Sequence, residues 1–203
     1  VEYSQMEVDE TPFFHVADAY LALDCMRIKD TQTTHCETDD IVAAYVFSRT
    51  NDSEIVISSF DSDYFQLISP NVSVLRYRGK GTMLCGEEYI SEKFGIGADK
   101  YADMKALCGD ASDNIRGVPR IGPKTAARLI NEFGSLDGIM QNADRIKQSA
   151  LRESILMNLD RLLLNRQLIT LTGGAALPFE TEELEFIMPE FTSVQALKAL
   201  GII

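Results

Sequence analysis

Three clusters of carboxylates punctuate the chain: Glu37, Asp39 and Asp40, then Asp61 and Asp63, then Asp110 and Asp113. Each falls at the end of an apolar stretch, where a fold turns. Taken singly they are ordinary. Glu-x-Asp-Asp is a common solvated helix start, Asp-x-Asp after a strand is as readily a turn as a ligand pair, and Asp-x-x-Asp before a hairpin is a usual Asx turn or cap. Brought together they would be costly. Two carboxylates about 5 Å apart repel by roughly 3 kcal/mol at an effective dielectric near 20, and several such pairs rival the whole ~5–15 kcal/mol stability of a domain. If the clusters converge they require divalent cations, and hard oxygen donors select Mg2+ or Mn2+ over zinc. Two such ions can activate water and stabilise the leaving oxygen of a phosphodiester.

The last cluster runs directly into a second kind of chemistry. Gly117, Gly122 and Pro123 punctuate a hairpin that opens into a helix, with proline suited to the first turn. The amides of Lys124, Thr125 and Ala126 are then expected to face an anion such as a phosphate. Between Ile115 and Asn131 stand Arg116, Arg120, Lys124 and Arg128 with no acidic residue. A glycine turn alone reads as a plain helix–turn–helix corner. The acid-free basic run favours a grip on phosphates, which positions a duplex without reading bases.

The elements that must carry these residues are legible from periodicity. A helix is expected from about Phe13 to Arg27, a short extended piece from Thr33 to Cys36, and a buried helix over Ile41–Phe47 whose first turn holds Asp39 and Asp40 near the positive end of its dipole. Glu54–Phe60 is a β-branched run typical of a buried parallel strand. Asp61 and Asp63 follow it, at the strand's carboxyl end, where ligands collect in open α/β sheets. Extended segments are expected from Leu67 to Tyr77 and over Thr82–Cys85, with the basic patch Arg76–Lys80 at a turn. Helices follow over Glu87–Phe94, Asp99–Leu107, Pro123–Glu132, about Ala143–Asn165, and Ser193–Leu200. These place an acidic half in residues 1–103 and a hairpin half in residues 104–203.

Composition sets the outer limits. The chain has 203 residues, 45% of them hydrophobic, enough for a real core, and no run approaches a membrane span. Its four cysteines, Cys25, Cys36, Cys85 and Cys108, lack metal-type spacing and read as reduced thiols, so a cytoplasmic protein is expected, and it is expected separately to be a monomer. The net charge of −12 argues against general nucleic-acid binding, but its distribution matters more. Residues 1–40 hold ten acids against two bases, whereas the bases gather at Arg76–Lys80 and in the hairpin. A local basic strip on an acidic protein can still hold a DNA backbone, with strong salt dependence.

The order Glu37-Thr38-Asp39-Asp40, then Asp61-Ser62-Asp63-Tyr64-Phe65-Gln66-Leu67, then Gly109-Asp110-Ala111-Ser112-Asp113-Asn114-Ile115-x-Gly117-Val118-Pro119-x-Ile121-Gly122-Pro123-Lys124-Thr125-Ala126 resembles the 5′-nuclease superfamily. That group holds flap endonucleases, phage 5′-exonucleases and the 5′-nuclease domain of bacterial DNA polymerase I. The resemblance covers about Ala17 to Leu171. It implies an α/β fold with a parallel-type central sheet flanked by helices, and a helix–three-turn–helix DNA-binding subdomain. It implies two-metal hydrolysis of a phosphodiester near the 5′ end of duplex or branched DNA.

By the same resemblance, Glu37 and Asp39 would serve a first Mg2+ or Mn2+ ion, and Asp61, Asp63 and Asp110 a second, with Asp40 and Asp113 at matching acidic positions. A K+ ion would rest on the carbonyls of Ile115, Val118 and Ile121. Arg116, Gly117, Arg120, Gly122, Lys124, Thr125 and Arg128 would meet the DNA backbone. The family also begins with a strand ending in aspartate, a second aspartate, and a basic arch. Val1–Pro12 hold no counterpart, so the sheet's first strand and part of the first metal site are expected to be missing. A DNA-binding remnant without turnover therefore stands beside the nuclease, and unrelated acidic surface features stand as a third reading.

Overall fold

The computed structural model describes residues 12–50, 53–78, 81–186, 192–199 and 201. They fall into two compact units, one made of 1–37 with 177–203 and the other of 38–176. In the first unit, a 3₁₀ turn at Pro12–His15 leads into α1 (Val16–Cys25), which lies against the C-terminal helix of the chain, Ser193–Ala199. The expected extended piece at Thr33–Cys36 is a series of bends instead. The Thr33 hydroxyl accepts the His35 amide and pairs with the Cys36 thiol, so local side-chain bonds replace a ladder.

The second unit holds the α/β core. α2 (Thr38–Ser48) buries Ile41, Ala43, Ala44 and Val46 and opens with Asp39 and Asp40 in its first turn. β1 (Ile55–Ser58) pairs parallel with β2 (Val72–Arg78), in the register Ile55 opposite Val72. β2 pairs antiparallel with β3 (Gly81–Cys85), giving a three-stranded sheet in the order β1–β2–β3. The expected strand from Leu67 begins only at Val72. Asp63–Leu67 is a 3₁₀ turn, because Tyr64, Phe65 and Leu67 are all buried, which two-residue alternation on one sheet face cannot do. Phe65 stacks edge-on against Tyr89 and Tyr101, at 5.7 and 5.5 Å between ring centres.

α3 (Glu87–Phe94), closed by Gly95 in the left-handed region, packs against β3, and α4 (Tyr101–Cys108) follows it. A two-residue ribbon follows, β4 (Gly109–Asp110) against β5 (Ile115–Arg116). Then come α5 (Pro123–Phe133), α6 (Leu136–Gln141), α7 (Ser149–Leu156) and α8 (Leu159–Ile169), the last packed on α4. The C-terminal helix, Ser193–Ala199, is α9.

Two departures from the expected helices have plain causes. The single helix over Ala143–Asn165 is broken into a 3₁₀ turn and two helices, because Asn158 donates its side-chain amide to the Ser154 carbonyl and its backbone amide to the Ile155 carbonyl, which competes with the α-ladder. α6 went unforeseen although it carries an N-cap, the Ser135 hydroxyl accepting the Gly138 amide. The expected boundary at residue 103 falls inside the second unit, on α4.

Candidate metal centre

α4 ends where Gly109 adopts φ +78, its amide bonded to the Lys105 carbonyl. A side chain here would drive its Cβ into the Ile115 carbonyl and the Gly117 amide, so only glycine lets the chain reverse this tightly. Gly117 answers from the other side, with a Cβ position overlapping the Cys108 carbonyl. The two glycines therefore press β4 onto β5 and fix Asp110 at the end of α4.

Asp110 is held from several directions. Its Oδ1 accepts the Ser112 amide at 2.9 Å and the Ser112 hydroxyl, and its Oδ2 pairs with the Lys105 ammonium. The same ammonium pairs with Asp63 Oδ1. All three side chains are largely shielded, 9% exposed at Lys105, 14% at Asp63 and 10% at Asp110. Asp63, Asp110 and Asp113 each offer an oxygen within 4.8 Å of the others. The two carboxylates that share Lys105 respond oppositely. Burial pushes the Asp63 carboxyl up, outweighing its lysine. At Asp110 burial pushes the same way, but Lys105 and Ser112 together hold it at about 2. Burial, reinforced by the Asp110 and Asp61 charges, raises Asp113. The Lys105 ammonium is held firmly charged: burial disfavours it, and its two carboxylates more than compensate.

Asp61 and Asp39 border this group. Asp61 accepts the Asp63 amide on Oδ1 at 2.9 Å, a local turn that starts the 3₁₀ segment after β1. Asp39 accepts the Tyr64 hydroxyl. Burial of that hydroxyl, then its bond to Asp39, then the charges of Asp61 and Asp63, all raise its pKa. Asp40 is half-buried on the first turn of α2, and Glu37 belongs to the other unit. Sequence reasoning assigned no role to Tyr64, Lys105 or Ser112. The signal for Lys105 was a lone cation between Met104 and Ala106, inside a helix whose other turns bury apolar side chains.

Could this group hold a divalent ion? The donors are carboxylate oxygens, suited to a hard cation, and the ammonium among them shows that the pocket is built for positive charge. The fit is good for Asp63, Asp110 and Asp113.

The ribbon delivers the chain to the basic hairpin. Arg116, Arg120, Lys124 and Arg128 are exposed, and Arg128 also reaches Glu132 at 3.5 Å. Asn114 and Arg120 take φ values of 57° and 70°, unusual for residues with side chains. Gly122 caps α5, Pro123 fills the first turn, and the Lys124 and Thr125 amides lie at the helix start. The Ala126 amide does not join them, because it bonds to the Gly122 carbonyl at 2.9 Å as the first rung of the helix. The Val118 carbonyl accepts the Ile121 amide at 3.2 Å, and the Pro119 carbonyl accepts the Ser154 hydroxyl at 2.7 Å. Buried Asn165 pins the ribbon to α4, donating to the Ala106 and Arg116 carbonyls at 2.9 Å each. The Arg76 guanidinium, from the other basic patch, turns back onto the Phe60 carbonyl at 2.7 Å. Burial pushes the Cys108 thiol up to about 11, so it offers no thiolate to the site. Among the described residues no helix is long and apolar enough to cross a membrane.

Comparison with known proteins adds the lineage. Residues 13–95 match the family described as 5′-3′ exonuclease, N-terminal resolvase-like domain, and residues 96–192 the one described as 5′-3′ exonuclease, C-terminal SAM fold. DNA polymerase I of Rhizobium leguminosarum is 38% identical over 154 residues, which is 75% of this chain and 15% of that protein. The 5′-3′ exonuclease of Buchnera aphidicola is 38% identical over 128 residues, 63% of this chain and 44% of that protein. The chain thus spans well under two thirds of the relatives it matches. A bacteriophage T5 flap endonuclease, solved with DNA and metal ions, shares the fold with a TM-score of 0.70 and 23% identity, over 83% of this chain and 63% of that one. Matched by both exonuclease domain models in succession and folded as they are, the chain belongs to the 5′-nuclease superfamily.

Proposed function

We propose that this chain carries the metal-binding and DNA-gripping parts of a 5′-3′ exonuclease or 5′-flap endonuclease that hydrolyses phosphodiesters near the 5′ end of duplex or branched DNA by a two-metal mechanism. The observation that carries this reading is the group Asp63, Asp110 and Asp113, within 4.8 Å, in which Asp110 and Asp113 belong to the ribbon that leads into the basic hairpin. Residues up to 103 supply Asp39, Asp61 and Asp63, and residues from 104 supply Asp110, Asp113 and the hairpin.

Mg2+ or Mn2+ bound there would supply an activated water and neutralise charge on the leaving oxygen. The chain's own residues do the positioning. Asp63 and Asp110, with Asp61 and Asp113, would hold one ion, and Asp39 would serve the other. The Tyr64 hydroxyl fixes the rotamer of Asp39, and Ser112 that of Asp110. Arg116, Arg120, Lys124 and Arg128, with the Gly117, Gly122 and Thr125 backbone, would hold the phosphates of the duplex at a fixed distance from the acidic group. A K+ ion on the carbonyls of Ile115, Val118 and Ile121 belongs to the same reading. The likeness in fold to the T5 flap endonuclease solved with DNA and metal ions supports a chain that binds both.

One observation favours a second reading, DNA binding without turnover: the Lys105 ammonium already neutralises part of the acidic group. Cleavage decides. Incubation of the chain, as a monomer, with a 5′-flap duplex and Mg2+ is expected to release the flap, and Asp63→Asn with Asp110→Asn is expected to abolish release. Salt-sensitive duplex binding with no Mg2+-dependent product overturns the nuclease reading in favour of the second.

A further inference from the structure

Lys105 is an unusual resident of a metal-type pocket. Its stem enters from α4, whose neighbouring Tyr101, Met104, Ala106 and Leu107 are all core. Its ammonium contacts one oxygen each of Asp63, which follows β1, and Asp110, which begins β4. Those carboxylates come from segments 47 residues apart, and the ammonium between them offsets much of the repulsion that two shielded carboxylates would otherwise feel. The lysine is at least as shielded as they are. Three carboxylates and one ammonium leave Asp63, Asp110, Asp113 and Lys105 with a charge of −2, which one divalent ion neutralises.

We infer that Lys105 is a built-in cation that holds Asp63 and Asp110 at metal-ready spacing before any ion binds, and that it weakens the hold of the site on a divalent ion so that the ion is exchangeable. The inference rests on the metal-binding reading proposed above. It makes Lys105 a positioning residue acting through the carboxylates. It also separates two properties that would otherwise be joined. The fold of the acidic pocket becomes independent of metal, and the affinity for metal is held down by a positive charge that never leaves the helix.

The test uses Mn2+ as the probe, read by calorimetric titration and by thermal melting in EDTA and in millimolar Mn2+. Lys105→Met keeps the stem and removes the charge. Leaving two shielded carboxylates unpaired is expected to lower the melting temperature in EDTA by about 10 °C. Mn2+ is expected to restore most of that loss, and its dissociation constant is expected to fall at least tenfold, because a repelling charge a few ångströms away is gone. Lys105→Arg, which keeps the charge, is expected to melt within a few degrees of the parent in EDTA and to bind Mn2+ no tighter than the parent. The inference is overturned if Lys105→Met melts like the parent in EDTA, if it binds Mn2+ equally or more weakly, or if it stays unfolded in Mn2+. The metal-binding reading has its own control. If Asp63→Asn with Asp110→Asn binds Mn2+ as the parent does, that reading fails. If this double variant loses Mn2+ while Lys105→Met gains none, only the role given to Lys105 fails.

Discussion

Arg120 is the residue where stability and DNA affinity should move in opposite directions. It sits at φ 70° between Pro119, whose carbonyl is tied to Ser154, and Ile121, which is buried. The neighbours fix the backbone, so the arginine cannot relax out of the left-handed region. That conformation costs a residue with a side chain roughly 1–2 kcal/mol. Glycine would remove the cost but carry an unfolded-state entropy penalty of about 0.4–1 kcal/mol. Arg120→Gly is therefore expected to stabilise the fold by about 0.5–1 kcal/mol, a rise in Tm of about 2–3 °C for a chain of this size. The arginine side chain is exposed and stands in the acid-free run, where its use is a phosphate contact. Its loss is expected to reduce the slope of log K against log salt by about 0.9, the value of one neutralised phosphate.

Arg120→Ala separates the two effects, because alanine keeps the strain and loses the charge. The assays are thermal melting without DNA, and fluorescence anisotropy with a 5′-flap duplex across a salt series in Ca2+ or EDTA. The expected order of Tm is Gly above both Arg and Ala, while Gly and Ala share the same reduced slope. A glycine variant no more stable than the alanine variant refutes the backbone argument. A slope unchanged in both variants refutes the phosphate contact, whatever the Tm values.

Three other outcomes follow from the same geometry. Gly117→Ala should cost about 3 kcal/mol or more in denaturant unfolding, since its Cβ overlaps the Cys108 carbonyl and neither ribbon strand can yield. Asn165→Ala should cost about 2–4 kcal/mol, because it strips the side-chain donor from the Ala106 and Arg116 carbonyls at a site 3% exposed; if the loss in chemical denaturation is under 1 kcal/mol, the pin between α4 and the ribbon is not there. Asp110 gives a pH signature. Its carboxyl lies below the ordinary 3.8, at about 2, so its stabilisation is complete above about pH 4 and is lost as the pH falls toward 2. The shift corresponds to about 2 kcal/mol, which should appear as the part of the parent's acid limb that Asp110→Asn lacks.

Much of the fold was legible because the chain obeys its own periods. The β-branched run around Ile57 became the parallel strand β1, although it is not buried on both faces as expected, since Val56 is 56% exposed, and the stretch after Pro123 became α5. What went unread was decided by single polar side chains. Asn158 broke a helix that its leucines would have continued, and Ser135 started one in a segment too short to show a period. Leu67, expected to open a strand, instead closes a tight turn in which Tyr64 and Phe65 are buried with it. No composition window resolves such choices, because each turns on one hydrogen bond or one packed ring.

The candidate site divides the same way. Its carboxylates could be picked out because unsatisfied charge is conspicuous along a sequence. The ammonium that organises two of them could not, because its partner across the fold lies 42 residues away and its near partner is reached only through a glycine that stops the helix. Gly109 bonds its amide to the Lys105 carbonyl and turns at φ +78, so the very next residue, Asp110, returns over the side chain of the lysine five positions back. On a continuing helix, positions five apart point in different directions and the pair could not form. The contact is thus a property of where α4 ends, and that ending is set by the close approach of Gly109 and Gly117, the same approach that launches the basic hairpin. The geometry of the acidic group and the placement of the hairpin share this one cause, so a substitution at either glycine should disturb both together.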